Sequence, residues 1–374
     1  MKKILVFISV AALLAASCTK VEQKSLVKDS PITFQTARAL TKATGTMFPV
    51  DQTFSVYAWS AASVLAENIF MDNVTVAYNT TDNAWVPQGS TYYWPKNASV
   101  DFQAYYPAGL AGITVKADKL SYTNIDVKTL QQDIMYSDKA VGYTNNVNEV
   151  EDGVNANEGV PVIFRHALSK VKFIVELTYN HKEEADGTVT DWEVTVNNVA
   201  LDGIYTTGSA EFNLASTPAT GLVAWEKPAG NVWTPTSDVA SFAGSLSGNV
   251  VPGTDYEAVG ELYVLPQNLT SGAGQKLTVN VTIKTTRNGV DVLSETFNRT
   301  AYLYTASLPA WEINHVYTYR LLLSPTASNG NGGSPIGPGT TIDPSDPDLS
   351  DAVITFDPAV DGWQGVGVET TIEL

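Results

Sequence analysis

From Val171 to Leu177 every second residue is apolar: Val171, Phe173, Val175 and Leu177 alternate with Lys172 and Glu176, and Ile174 is the one apolar residue on the polar side. A period of two sends successive side chains to opposite faces of an extended strand, so one face is buried and the other wet. The same period returns along the whole chain. Upstream it is carried by Phe54, Val56 and Ala58, by Val74, Val76 and Tyr78, and by Val100, Phe102, Ala104 and Tyr106. Downstream it is carried by Trp192, Val194 and Val196, by Tyr263 to Leu265, and by Leu277, Val279, Val281 and Ile283. Gly, Pro and Asn fill the gaps between these runs, which makes each a strand bounded by turns. Asn288-Gly289 predicts a two-residue type I′ hairpin, because both residues tolerate positive φ. His315 to Leu323 is apolar or aromatic on both faces toward its end and is expected to be central in its sheet. A weakly periodic run from Ala61 to Ile69 is the one helix candidate. The expectation is an all-β chain built of Greek-key β-sandwiches.

At 374 residues the chain exceeds one ordinary core and fits two tandem sandwich domains. The polar run Asn145 to Gly159 reads as the connection between them, so Val160 to Leu177 opens the second. The expected division is 1–17 export signal, 18–45 tether with a first strand, 46–158 first sandwich, 159–326 second sandwich, and 327–374 linker with terminal strands. Ser328 to Ser334 is Gly/Asn-rich and Pro335 to Asp351 is Pro/Asp-rich, the composition of a linker. Its aspartates, Asp343, Asp346, Asp348 and Asp351, lack the alternate spacing, turn glycine and closing glutamate of a calcium loop.

Acidic residues outnumber basic ones by 39 to 22, a formal charge of −17, which argues against nucleic acid or an anionic membrane surface as partner. The three histidines, His166, His181 and His315, have no metal-ligand spacing. Gly244-Ser-Leu-Ser-Gly248 has Leu246 where a hydrolase elbow needs its nucleophile. Ser271 to Lys276 lacks the spacing of a phosphate loop, with Gln275 between the last glycine and Lys276. The carboxylate pairs Glu151/Asp152 and Glu183/Glu184 fall in polar loops where nothing separates their acid strengths. No catalytic residue, metal or cofactor is expected, and the chain reads as a protein that is not an enzyme.

Lys2 and Lys3, the apolar run Ile4 to Ala16 and the small residues before Cys18 read as an export signal, too short to span a bilayer in the mature protein. Leu14-Ala-Ala-Ser17 before Cys18, the sole cysteine, resembles the lipobox of bacterial lipoproteins, which makes Cys18 the expected lipidation site and the lipid the only membrane attachment. The alternative is ordinary secretion with a free thiol. Thr19 to Ser30 is a polar tether. Ile32-Thr-Phe34 is a short strand, and Arg38, followed by Ala39, is the first arginine of the chain; the next is Arg165.

Phe164-Arg-His-Ala-Leu-Ser-Lys-Val-Lys-Phe173 resembles the F-x-H-A-L-[SA]-K-[VI] signature of the fimbrillin and Mfa-like surface proteins of Bacteroidales. Three further segments match in the family's order: Tyr92 to Pro95 with Val100 to Pro107, Gln132 to Tyr136, and Trp311 to Tyr319. The resemblance implies transthyretin-like sandwiches and a subunit of a type V pilus at the cell outer membrane, in the fimbrium. It implies other pilin subunits as partners, surface ligands for adhesion, and a trypsin-like protease that cuts after a basic residue and strips the first strand from a hydrophobic groove. Arg38-Ala39 fits that cut, with Lys42 as second choice. Read without the resemblance, Arg38 is a solvated surface arginine. The competing reading is a surface lipoprotein that does not polymerise and binds glycans through aromatic platforms.

In the last nine residues Val366, Val368, Thr370, Ile372 and Leu374 share one side and Glu369, Thr371 and Glu373 the other. An apolar edge of this kind needs a sheet to pair with. Burying Val366, Val368, Ile372 and Leu374 would contribute roughly 6 to 12 kcal/mol before ordering costs. The segment is therefore the expected donor strand. A spacer from Pro325 to Ser350 reaches roughly 85 Å extended, so its own domain and a neighbour are both within range.

Overall fold

The alternating runs are strands throughout the computed structural model. It describes residues 32–36, 48–143, 159–327 and 352–362, apart from 62, 64–67, 83, 96–97, 163, 214–215, 219–231, 237–238, 245–248, 271–273, 305 and 307. In chain order come β1 (Phe34–Thr36), β2 (Thr53–Trp59), β3 (Ile69–Asn79), β4 (Ala84–Pro87), β5 (Val100–Tyr106), β6 (Ile113–Val115), β7 (Lys119–Asp126), β8 (Met135–Ser137) and β9 (Lys139–Tyr143). Then follow β10 (Val160–Val162), β11 (Phe164–His166), β12 (Ser169–Leu177), β13 (His181–Glu183), β14 (Val189–Tyr205), β15 (Thr207–Asn213), β16 (Ser216–Pro218), β17 (Trp233–Pro235) and β18 (Val239–Gly244). The rest are β19 (Asn249–Val250), β20 (Tyr256–Val264), β21 (Gln267–Asn268), β22 (Lys276–Arg287), β23 (Val290–Tyr302), β24 (Ala310–Trp311), β25 (His315–Ala327) and β26 (Ala352–Gly362).

The second half is a sandwich. One sheet, in the order β20-β12-β25-β26, faces another, β13-β14-β22-β23, with β18 and β19 also paired to β14. Val171, Phe173, Val175 and Leu177 of β12 are all at most 1% exposed and meet Trp192, Val194, Val196, Leu277, Val279 and Val281 from the opposite sheet. These four side chains contribute on the order of 6 to 12 kcal/mol. Asn288 and Gly289 both have positive φ, 49° and 77°, and join β22 to β23 as a tight hairpin. β25 lies between β12 and β26, as its two-faced apolarity requires.

The first half is one sheet in the order β10-β1-β4-β3-β2-β5-β8-β11, with β9 paired to β5 and to β16. Only Ile163 separates β10 from β11 in sequence, yet the two lie at opposite ends of that order, so the sheet is curled on itself around a single core. This corrects one expectation: Val160 to His166 does not open the second half but completes the first, pairing with β1 and β8. The second half's own sheets begin at Ser169.

The halves are also joined by a sheet they share, β17-β15-β7-β6, two strands from each. Its core holds Tyr122, Phe212, Trp233, Leu168 and Leu265. The Trp233 ring stacks on Tyr122 at 5.3 Å, and its Nε1–H donates to the Ala167 carbonyl at 2.6 Å. The helix expected over Ala61 to Ile69 lies largely outside the described residues, and Ile69 itself begins β3. The one described α-helix is the single turn α1 (Val127–Leu130), whose first N–H groups are accepted by Asp126 Oδ1 at 3.0 and 3.4 Å.

Candidate functional site

Three described residues carry the first strand's pattern into space: Ile32 and Phe34 point into the core, each 1% exposed, and Thr33 points outward. β1 is short but flanked on both sides. It runs parallel to β10, with Phe34 opposite Val160, and antiparallel to β4, with Phe34 opposite Trp85. Ile32 N–H donates to Tyr92 O at 2.7 Å, and Val160 N–H donates to Thr33 O at 2.8 Å. The Phe34 ring stands edge-on to Phe54 at 6.3 Å and to Phe102 at 5.6 Å, inside an aromatic box. Burying Ile32 and Phe34 contributes about 3 to 6 kcal/mol.

The slot that β1 fills is thus apolar within and edged by the backbones of β4 and β10. Without an occupant, the edges of β4 and β10 that face β1 would be left unpaired, the arrangement that recruits another strand.

Arg38 and Ala39, the expected cut, lie outside the described residues, as do Lys42, Cys18 and the segment Val366 to Leu374. On either side of Arg38 the chain is held by a buried aromatic ring. Phe34 anchors the chain before it. Phe48 anchors the chain after it, packed against Phe54, Trp85, Tyr106 and Phe164 at 4.9 to 5.6 Å between ring centroids. The next arginine, Arg165, is in a different situation: its guanidinium donates to both oxygens of Asp138, from Nε at 3.2 Å and Nη2 at 2.8 Å, and both side chains are at most 7% exposed. Buried in β11, it offers no substrate to a protease.

At the other end, β26 pairs antiparallel with β25, from Ala352 opposite Ala327 to Gly362 opposite His315. β26 thus folds back on the chain's own second half. Gly362 comes to lie beside the start of β25 and hence near the junction of the halves, since Val316 of β25 is opposite Lys170 of β12.

No group of three or more His, Cys, Asp or Glu side chains among the described residues could hold a metal. His166 Nδ1 lies 2.6 Å from Asp133 Oδ2. Tyr93 and Tyr302, 49% and 48% exposed, are the exposed aromatics among the described residues, and they belong to different halves; Trp59, Trp85, Trp192, Trp233 and Trp311 are buried. Sequence reading missed Phe48, Trp85 and Gly159 as parts of the slot, because their approach to β1 is long-range and leaves no local pattern.

Residues 41–340 match the model of a family described as fimbrillin-like. No curated protein matches the chain. Among solved structures, a fimbrial protein from Bacteroides vulgatus ATCC 8482 is 17% identical, with 89% of this chain and 99% of that chain covered and a TM-score of 0.50, a likeness of fold. The fimbrial anchor protein Mfa2 from Porphyromonas gingivalis is 13% identical over 90% of this chain and 98% of that chain, with a TM-score of 0.28.

Proposed function

This chain belongs to the fimbrillin-like family, a fimbrial role at the cell surface among other pilin subunits, and from that premise we propose that it is a stalk or tip subunit of a type V pilus. It is exported as a lipoprotein through Cys18 and polymerises by protease-triggered strand exchange. The observation that carries the reading is the segment 32–36: two buried anchors, Ile32 and Phe34, with β1 paired on both edges and followed within a few residues by Arg38. A trypsin-like protease cutting between Arg38 and Ala39 detaches β1, and the slot between β4 and β10 then takes Val366 to Leu374 of the next subunit.

The pairing of β26 narrows the choice of slot. With Gly362 opposite His315, a stretch from Trp363 to Leu374 would span at most roughly 40 Å when extended, so on this reading the slot it fills lies within that distance of Gly362. N-terminal sequencing of protein sheared from the cell surface tests the processing step. A new terminus at Ala39 supports it, and Arg38→Ala with Lys42→Ala should then accumulate unpolymerised precursor. Normal fibres from that double variant contradict it.

A further inference from the structure

We propose that Gly159 is the positioning residue that admits a strand to the slot between β4 and β10, by allowing the occupant's backbone to touch its own. The inference rests on the strand-exchange reading and adds to it the residue on which occupancy depends. Gly159 sits at φ +112°, immediately before β10, and a Cβ built there would lie 2.8 Å from the carbonyl carbon of Phe34, and 2.9 Å from both the carbonyl carbon and oxygen of Thr33. Carbon atoms in contact rest at about 3.5 to 4.0 Å, so no side chain fits. All three contacts are to main chain, which has no rotamer by which to yield.

The position is also pinned. Val160 N–H, one residue on, donates to the same Thr33 carbonyl at 2.8 Å, so β1 cannot slide away from Gly159 without losing its bond to β10. Two consequences follow for selectivity. Because the contact is with peptide atoms, Gly159 does not read the occupant's side chain at the Thr33 position, which points outward. Selection falls instead on the sockets of Ile32 and Phe34, two residues apart, and any strand that replaces β1 must bring its backbone equally close to Gly159.

Gly159→Ala in the full-length chain tests this, with Gly142→Ala as the control for strain. Gly142 has φ +78° and nothing within 4 Å of a built Cβ, so its substitution carries the backbone penalty without the collision. Hydrogen exchange is read over residues 32–36, 84–92 and 160–162, with 169–177 as the internal reference. The expected result is that Gly159→Ala raises exchange in the first three segments by roughly tenfold or more, as for a locally opened strand, while 169–177 stays protected and Gly142→Ala leaves all four unchanged. Continued protection of 32–36 in Gly159→Ala overturns the assignment of Gly159 and leaves strand exchange standing. Global unfolding of Gly159→Ala, with Gly142→Ala folded, overturns the claim that Gly159 acts on the occupant alone. It also contradicts strand exchange itself, because the rest of the protein would not survive a vacant slot.

Discussion

Phe34 meets Phe102 edge-on, 5.6 Å between ring centroids and 85° between planes, although β4, β3 and β2 stand between their strands in the hydrogen-bonded order. The contact crosses the core of the curled sheet, so the short first strand is a structural plug of the first half and not a surface appendage. Phe34→Ala should destabilise the protein by about 3 to 5 kcal/mol, the range for removing a buried phenyl ring. Urea unfolding of the uncut chain measures it. A loss below about 1 kcal/mol would mean that the aromatic box collapses around the gap and that the plug matters little.

Arg165 and Asp138 form a buried ion pair in which each charge has the other as a bidentate partner. Arg165→Ala should be destabilising by about 3 to 5 kcal/mol, since it leaves the Asp138 carboxylate buried without its guanidinium. Replacing both by apolar residues of similar size should recover much of that loss. Equal losses from the single and double changes, read from denaturation midpoints, contradict this account of the pair.

Stability should fall in strong base. Burial pushes the hydroxyls of Tyr143 and, with Tyr105 and Asp72 adding to it, Tyr57 up to about 12. Tyr263 is pushed to about 12 by burial and by Asp133 and Glu261. An unfolded tyrosine titrates near about 10, so the folded chain holds these protons more tightly; the stabilisation is complete below about pH 10 and is lost as pH rises through about 12. A thermal midpoint unchanged across that window contradicts it.

The strands were legible because burial imposes a period: β12 alternates buried and half-buried residues from Ser169 to Leu177 as its sequence predicts. Asn288-Gly289 was legible because its turn needs positive φ twice. What a period cannot carry is the identity of the neighbour. β10 and β11 look like an approach to β12, yet they close the first sheet, and β15 pairs with β7 more than eighty residues upstream. α1 is a single turn fixed by one Asp126 cap, too short for helical periodicity to register. Of the slot, the inward pair Ile32 and Phe34 was readable from alternation, whereas Gly159 and Trp85 are set by pairing across the sheet.

On the proposed lipoprotein reading, which takes the Cys18 thiol as the lipid acceptor, Cys18→Ala should abolish lipid attachment and delivery to the outer membrane. Labelling cells with radioactive palmitate reads the outcome. Label retained in the alanine variant would place the lipid on a residue other than Cys18, and an unlabelled wild-type chain would make it an ordinary secreted protein.

The claim that the next subunit's terminal strand replaces β1 is tested most directly by a photo-crosslinking residue placed at Ile372. Fibres are grown from a mixture of light and heavy isotope-labelled subunits and digested for mass spectrometry. The account predicts crosslinks from position 372 to peptides containing Trp85 to Tyr92 or Val160 to Val162, joining light to heavy chains. Crosslinks confined to one isotope, or falling on β25 and β26 of the same subunit, would show that the terminal strand stays at home and that the slot is filled by something else.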